Sequence, residues 1–206
     1  MNRPLTGIRA DRKESYRSIE KVASALREVI SLAPLDRFDA LNFFNQIVPQ
    51  MTVDCDAGSI PLYEVVDNCQ QEGCTRWDAE SGFLQIVLSE RTHDQLLADH
   101  VRARSTVAHE AGHACLHTDQ IIRLHGMSLT SQVAFHREKS PHEACQDTEW
   151  QANAFGSALL MPAAGVERIF ARLGRQSAVA LAEHFGVSME SATYRIGTYE
   201  RALGTK

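Results

Sequence analysis

The sequence predicts a mostly helical α+β fold, with a small β-sheet beside a central helix and a pair of helices at the C-terminal end. Residues 16–31 and 104–118 have helical character, and the runs 62–66 and 83–88 are strand-like. Residues 177–203 give two helical stretches separated by a glycine. The chain has 206 residues, 44% of them hydrophobic, which is enough for one domain with a small appendage.

The N-terminal third is predicted to hold a loose arm, two helices and the sheet. Residues 1–15 are polar and basic, and we expect a flexible arm there. Residues 16–31 form an amphipathic pattern, and a second helix is expected over residues 36–48. Strands are predicted at 62–66, 75–77 and 83–88, with a turn over 78–82. The apolar stripe of the first helix is Ile19, Val22, Ala23, Leu26, Val29 and Ile30.

The segment 104–118 contains His109-Glu110-Ala111-Gly112-His113, an H-E-x-x-H motif. Residues four apart lie on the same face of a helix, so His109 and His113 can both direct a ring nitrogen at one zinc ion. Glu110 lies beside that face, where its carboxylate can take a proton from a water molecule. The segment has no proline, and Gly112 costs about 1 kcal/mol relative to alanine. Such a cost predicts close packing of another backbone at Gly112.

A third ligand is expected downstream. His117 lies eight residues from His109, about 12 Å along a helix, so we expect it to pack against or support a ligand. Glu149 and Asn153 lie four apart in a predicted helix that ends before Pro162. Glu149 can ligate the metal while Asn153 fixes a ligand imidazole in the required tautomer. Two histidines and one glutamate leave a coordination position open, the composition of a catalytic zinc site with one ion per chain.

Other readings of these acidic residues remain. Glu149 can instead be a surface carboxylate on an amphipathic helix. Glu143 and Asp147 compete for the role of third ligand, but neither has an asparagine at the right offset.

A small sheet beside a zinc-binding helix is the zincin arrangement, so the predicted domain at 16–170 has a zincin-like peptidase core. The edge strand of such a sheet can bind an extended peptide through backbone hydrogen bonds. We expect the substrate to lie along residues 83–89, against Leu84, Gln85 and Ile86.

Residues 119–148 are predicted to form a loop or short helices over the cleft. Hydrolysis of a peptide also needs a group that stabilises the oxyanion. Each of His125, His136 and His142 is by itself expected to be an exposed polar residue. One of them, or a tyrosine, can nevertheless serve as that group, and the sequence does not choose among them.

The C-terminal segment, 171–206, has a helix–turn–helix cadence over 177–188, with Ser188 as the N-cap of a last helix. One interpretation is a helix–turn–helix that binds DNA. The other is a helical pair that packs on the core or docks a protein substrate. The last helix has balanced charges, without the basic excess that neutralises phosphates, so the second interpretation is favoured. Its charged residues are Glu190, Arg195, Glu200 and Arg201.

The composition and charge of the chain bear on its location and its binding partners. The net charge of −5 does not support a broad nucleic-acid or membrane surface. No signal sequence is visible and no apolar run approaches 18 residues, which predicts a cytoplasmic protein that does not contact membranes. The five cysteines are expected to be free thiols. A second metal site at Cys69 and Cys74 is disfavoured because no matching His or Cys pair completes it.

The stretches HEAGHACLH and EWQANAFGSALLMP resemble the ImmA/IrrE family of bacterial and phage metallopeptidases. That family has an HExGH helix, then a Glu-x-x-Ala-Asn-x-Phe-Ala helix that closes in Leu-Leu-Met-Pro; Gly156 stands where the family often has alanine. The resemblance is strongest over residues 104–162. It implies that His109, His113 and Glu149 are zinc ligands and that Glu110 is the catalytic base.

The resemblance also implies a zinc endopeptidase that cuts or inactivates a helix–turn–helix repressor, relieving repression in mobile elements or stress responses. The alternative is a non-proteolytic regulator that binds DNA or a repressor through its C-terminal helices. An intact Glu110 argues against that alternative, because a structural or sensing metal site does not need a carboxylate beside its two histidines.

Overall fold

The computed structural model describes residues 7–127 and 142–203, and it confirms a mostly helical α+β fold. The strands of its mixed sheet are β1 (Thr52–Cys55), β2 (Gly58–Asp67), β3 (Gly73–Asp78) and β4 (Phe83–Ser89). The helices are α1 (Tyr16–Val29), α2 (Ala40–Asn42), α3 (Glu90–Leu97), α4 (Val101–Met127), α5 (Thr148–Leu160), α6 (Ala163–Leu173), α7 (Ala178–Phe185) and α8 (Met189–Leu203).

Helix α1 confirms the first predicted helix within two residues. It begins after Ser15, whose side chain accepts from the backbone N–H of Ser18, and the Ser18 hydroxyl in turn caps the N–H of Ser15. Its apolar face packs on α5 and α8. The apolar stripe predicted for this helix was wrong at Val29, which is 72% exposed rather than buried.

The helix predicted over 36–48 was wrong in extent. Helix α2 begins only at Ala40, capped by Asp39, and continues as a π-helical turn to Ile47 and a 3-10 turn to Gln50. The segment that precedes α2 is held by the buried Arg27 guanidinium, which donates to the carbonyl oxygens of Ala33 and Asp36. Those contacts fix the preceding segment as a turn, so the helix starts late.

The strand order β1-β2-β4-β3 corrects the predicted substrate strand. Strand β4 pairs in parallel with β2 and antiparallel with β3, so both sides of its backbone are already hydrogen-bonded. Leu84 and Ile86 are fully buried, and Gln85 bonds Arg76 and Asp78 on the other face. An extended peptide cannot add beside β4. Of the two edge strands, β1 and β3, β3 makes the more extensive contact with α4.

Helix α4 is longer than predicted. It spans 27 residues, about 40 Å, and it includes residues 119–127, for which a loop or short helices were expected. It crosses α5 where both helices have glycine. A Cβ at Gly112 would lie 3.1 Å from the backbone of Ala152, and one at Gly156 would lie 3.3 Å from the backbone of Ala108. The predicted close approach at Gly112 is confirmed.

The described part of the N-terminal arm is packed, which corrects the prediction of a flexible segment up to residue 15. The Ala10 N–H donates to the Gln146 carbonyl at 2.7 Å, and the Thr148 N–H donates to the Ile8 carbonyl at 3.1 Å. The side chain of Gln120 donates to the Arg9 carbonyl at 2.9 Å. Residues 7–12 therefore lie between the second half of α4 and the start of α5.

The C-terminal helices share the core of the rest of the chain, so the boundary predicted at residue 170 does not separate two cores. Ser188 caps α8 as predicted, accepting from the Ser191 N–H at 3.1 Å. On α8, Arg195 is 2% exposed and donates to Glu20 of α1 and to the Met161 carbonyl, both at 2.7 Å. This packing agrees with a helical pair that rests on the core.

Among the described residues, no single helix has both the length and the apolar character needed to cross a membrane. Helices α5 and α6 pass that test only as a pair, and they are bent by 51° relative to each other.

Candidate metal centre

Helices α4 and α5 bring three of the predicted ligands together. The Nε2 atoms of His109 and His113 are 3.1 Å apart. Glu149 completes a triangle, with Oε2 at 3.2 Å from His109 Nε2 and Oε1 at 3.3 Å from His113 Nε2. In the described part of the chain this is the one group of three or more His, Cys, Asp or Glu residues close enough to share an ion.

The donor triangle fits a tetrahedral metal ion. Zinc–ligand distances of about 2.0–2.1 Å place neighbouring tetrahedral ligand atoms about 3.3–3.4 Å apart. The two Nε2 atoms are 3.1 Å apart, and each lies 3.2–3.3 Å from a different oxygen of the Glu149 carboxylate, close to that spacing. Two imidazoles and a carboxylate are ordinary zinc ligands. The side chains of His109 and Glu149 are 21% and 29% exposed, so the triangle has a side open to solvent. The residues therefore suit a divalent ion with a free coordination position.

The electrostatics of the triangle favour a cation. Burial alone would raise the pKa of Glu149, but hydrogen bonds from His109 and His113 outweigh it and hold that pKa well below its usual range. Burial lowers the pKa of His109, yet its hydrogen bond to Glu149 and the charge of Glu110 produce a net rise. Glu149 therefore carries its negative charge at neutral pH, facing two imidazoles.

Asn153 lies beside this triangle on α5. Its side-chain amide donates to the Glu149 carbonyl at 2.7 Å. A hydrogen bond between Asn153 and the His109 ring also contributes to the raised pKa of His109. Asn153 thus lies where a residue that orients the His109 imidazole must lie.

His117 is buried behind His113 and takes no part in the donor triangle. Its Nδ1 is 3.1 Å from His113 Nδ1, and its Nε2 is 2.9 Å from Gln151 Oε1. Burial lowers the pKa of His117 to about 3, so this ring is neutral. His117 contacts a proposed ligand, as expected. The contact to Gln151 was not foreseen from the sequence.

Glu110 is 4% exposed and is held by strand β3. The Thr75 hydroxyl lies 2.9 Å from Glu110 Oε2 and 3.0 Å from the Glu110 carbonyl oxygen, and it can donate to either. A Cβ at Gly73 would lie 3.2 Å from Glu110 Cγ and 2.8 Å from the Thr106 side chain, so the strand needs glycine there to approach α4. Sequence reasoning missed Thr75. Gly73, next to the predicted strand, was the available signal of a close approach.

Among the described residues, no cysteine belongs to a group of three or more potential metal ligands. All five are free thiols, as predicted. Cys74 lies near Glu110; burial, together with the Glu110 charge, raises the pKa of its thiol to about 11. Burial also raises the pKa of Cys115 to about 12.

The other predicted histidines and carboxylates do not join the site where the structure describes them. His125 is exposed and lies twelve residues beyond His113, about 18 Å along α4, too far to stabilise an oxyanion at the metal centre. His142 lies 3.0 Å from Asp147, which caps α5 through the Trp150 N–H. Glu143 pairs with Lys13 at the surface. His136 lies outside the described residues.

A fold of this kind, with two helix-borne imidazoles, a carboxylate from a second helix and a buried glutamate beside them, defines the class of metal-dependent peptidases. The sequence comparison agrees. The model of a peptidase family described as the IrrE N-terminal-like domain matches residues 93–197, just over half of the chain. The chain belongs to this metallopeptidase family, which confirms the resemblance to ImmA/IrrE proteins. No curated protein matches the chain significantly in sequence.

Proposed function

We propose that this protein is a zinc-dependent endopeptidase that cleaves a partner protein, a helix–turn–helix transcriptional repressor, and so relieves repression. The observation that carries the proposal is the donor triangle of His109, His113 and Glu149, with sides of 3.1–3.3 Å, on the same helix as the buried Glu110.

The proposed zinc ion would be held by those three residues. When bound, zinc polarises a scissile carbonyl and lowers the pKa of a water molecule, which is the chemistry of peptide hydrolysis at such sites. The negative charge of Glu149 would offset half of the charge of a divalent ion. His109 and His113 would bind it as neutral rings, and their Nε2 atoms are the ones that face each other.

Glu110 is the proposed general base. Its Oε2 already contacts the Thr75 hydroxyl, so Oε1 is the oxygen left to accept a proton from the attacking water. The same carboxyl group then delivers that proton to the leaving amine nitrogen. The Thr75 hydroxyl has a second acceptor in the Glu110 carbonyl, to which it can turn while the carboxyl group is protonated.

The proposed substrate path follows β3 rather than β4. Strand β3 is at the end of the strand order, so one side of its backbone has no partner strand in the described sheet. It also packs against α4 and contacts Glu110 through Thr75. A peptide added beside β3 would be held by backbone hydrogen bonds along its length, with both of its ends free, as internal cleavage requires.

The repressor as substrate rests on the family resemblance, and the C-terminal helices fit a protein contact better than DNA. Of the basic residues on α8, Arg195 is buried against Glu20. Arg201 lies over the Tyr16 ring and donates to the Gly197 carbonyl. These guanidinium groups already have partners within the chain, which leaves little positive charge for phosphates. Direct DNA binding is therefore the less favoured alternative.

The test is a Glu110→Gln variant of the full chain. We expect it to keep zinc and partner binding and to lose turnover of the repressor by about 10²-fold to 10⁴-fold or more, because an amide cannot accept the proton. The exposed carboxylate of Glu143, changed to Gln, is the matched control and should cleave normally. If Glu110→Gln relieves repression as well as the wild type does, proteolysis is not the mechanism and a binding mechanism replaces it.

A further inference from the structure

A chain of hydrogen bonds runs from the metal-facing ring of His113 to the protein backbone. His113 Nδ1 lies 3.1 Å from His117 Nδ1, and His117 Nε2 lies 2.9 Å from Gln151 Oε1. The Gln151 amide nitrogen donates to the carbonyl oxygens of Arg12 and Cys145, at 2.8 and 2.9 Å. His113, His117 and Gln151 are each at most 4% exposed.

The two backbone carbonyl groups at the end of this series of hydrogen bonds fix the orientation of the Gln151 amide. Carbonyl oxygens only accept hydrogen bonds, so the end of the side chain that faces Arg12 and Cys145 must be the NH2 group. Both of its hydrogens are then used. The opposite end, Oε1, faces His117 and can only accept, so His117 Nε2 must carry a hydrogen.

The next contact follows from that assignment. A neutral His117 with its hydrogen on Nε2 has a lone pair on Nδ1, and the nearby His113 Nδ1 must then be the donor. When the proposed zinc is bound, the lone pair of His113 is then on Nε2, the atom that contacts His109 and Glu149. A second proton on His117 would place a charged ring in a buried site and reverse the contact, leaving the hydrogen of His113 on its metal-facing nitrogen.

We propose that Gln151 is a positioning residue that sets the tautomer of His113 through His117, so that His113 Nε2 is held ready to bind the metal. The inference rests on the proposed zinc site and adds how one of its ligands is prepared. Asn153 contacts the His109 ring, so each imidazole of the triangle has its own orienting amide. The Arg12 carbonyl makes the packed N-terminal segment part of this support.

The experiment compares zinc affinity in the full chain, measured by chelator competition starting from the zinc-loaded protein. Gln151→Met removes the acceptor with little change in volume, and we expect about 10-fold to 100-fold weaker zinc binding. Gln120→Met is the matched control. Gln120 is also buried, and it bonds the same N-terminal segment at the Arg9 carbonyl and the Asp11 N–H. It takes no part in the hydrogen bonds that link His113, His117 and Gln151.

The two variants decide the matter together. If Gln120→Met loses as much zinc affinity as Gln151→Met, the loss comes from disturbing the N-terminal segment and the proposed role of Gln151 is overturned.

A spectroscopic measurement needs no variant. In the zinc-loaded wild type, 15N NMR should find the His117 hydrogen on Nε2 and none on Nδ1. A hydrogen on Nδ1 overturns the inference, whether or not Gln151→Met folds. The two proposals fail differently. A wild-type chain that binds no zinc refutes the proposed function, whereas tight zinc binding that Gln151→Met leaves unchanged refutes only the role of Gln151.

Discussion

A substitution at Thr75 tests how Glu110, the proposed base, is held, because the Thr75 hydroxyl contacts Glu110 and its side chain is 6% exposed. Thr75→Val keeps the shape of the side chain and removes the hydroxyl. A hydrogen bond to a charged group is worth about 1.5–3 kcal/mol. If that free energy holds Glu110 in its reactive position, its complete loss corresponds to about a 10-fold to 150-fold fall in kcat.

The assay is steady-state cleavage of a peptide by zinc-loaded protein, with zinc content measured on the same samples. We expect kcat to fall while KM and zinc content stay unchanged, because Thr75 contacts Glu110 and none of the three proposed ligands. Thr75→Ser retains the hydroxyl and should recover most of the activity. If Thr75→Val stays within about twofold of the wild type in kcat, the hydroxyl does not position Glu110 for catalysis.

Three further predictions test the fold and the site. Gly112→Ala should lower the free energy of unfolding by about 1–3 kcal/mol, measured by urea denaturation, because the added methyl group forces α4 and α5 apart. Asn153→Ala should weaken zinc binding about 10-fold or more, and Glu149→Ala should weaken it further, both measured by chelator competition. Arg195→Met should lower the free energy of unfolding by about 3 kcal/mol, because it removes the ion-pair partner of the Glu20 carboxylate, which stays in a largely buried site.

Each of these has a clear contrary result. Unchanged stability of Gly112→Ala would mean that the close contact with Ala152 costs no more than the roughly 1 kcal/mol that alanine gains over glycine in a helix. Zinc affinity that survives Glu149→Ala would mean that the third ligand is another residue. Arg195→Met as stable as the wild type would mean that α8 does not depend on its ion pair with α1.

The helices that carry the metal centre could be predicted from the sequence because their evidence is local. A four-residue spacing fixes His109 and His113 on one face, and the same rule selects Glu149 with Asn153. Gly112 in a helix that otherwise lacks glycine near the motif indicated a close helix contact, which the approach to Ala152 confirms.

The features that the sequence did not reveal depend on contacts between distant residues. The central position of β4 follows from its pairing with β2 and β3, and a strand's neighbours cannot be read from its own apolar pattern. The late start of α2 depends on Arg27. Thr75 and Gln151 were missed because each meets its partner across 35 or 34 residues of chain.

The proposed function depends on one catalytic zinc ion held by the HExxH motif of α4 and by α5. Anomalous diffraction from crystals of the full chain, recorded on both sides of the zinc absorption edge, locates bound zinc without reference to activity. We expect one zinc peak per chain, about 2.0–2.2 Å from His109 Nε2, His113 Nε2 and a carboxylate oxygen of Glu149. Zinc bound elsewhere, such as at Cys69 and Cys74, with no peak in the triangle, would contradict it.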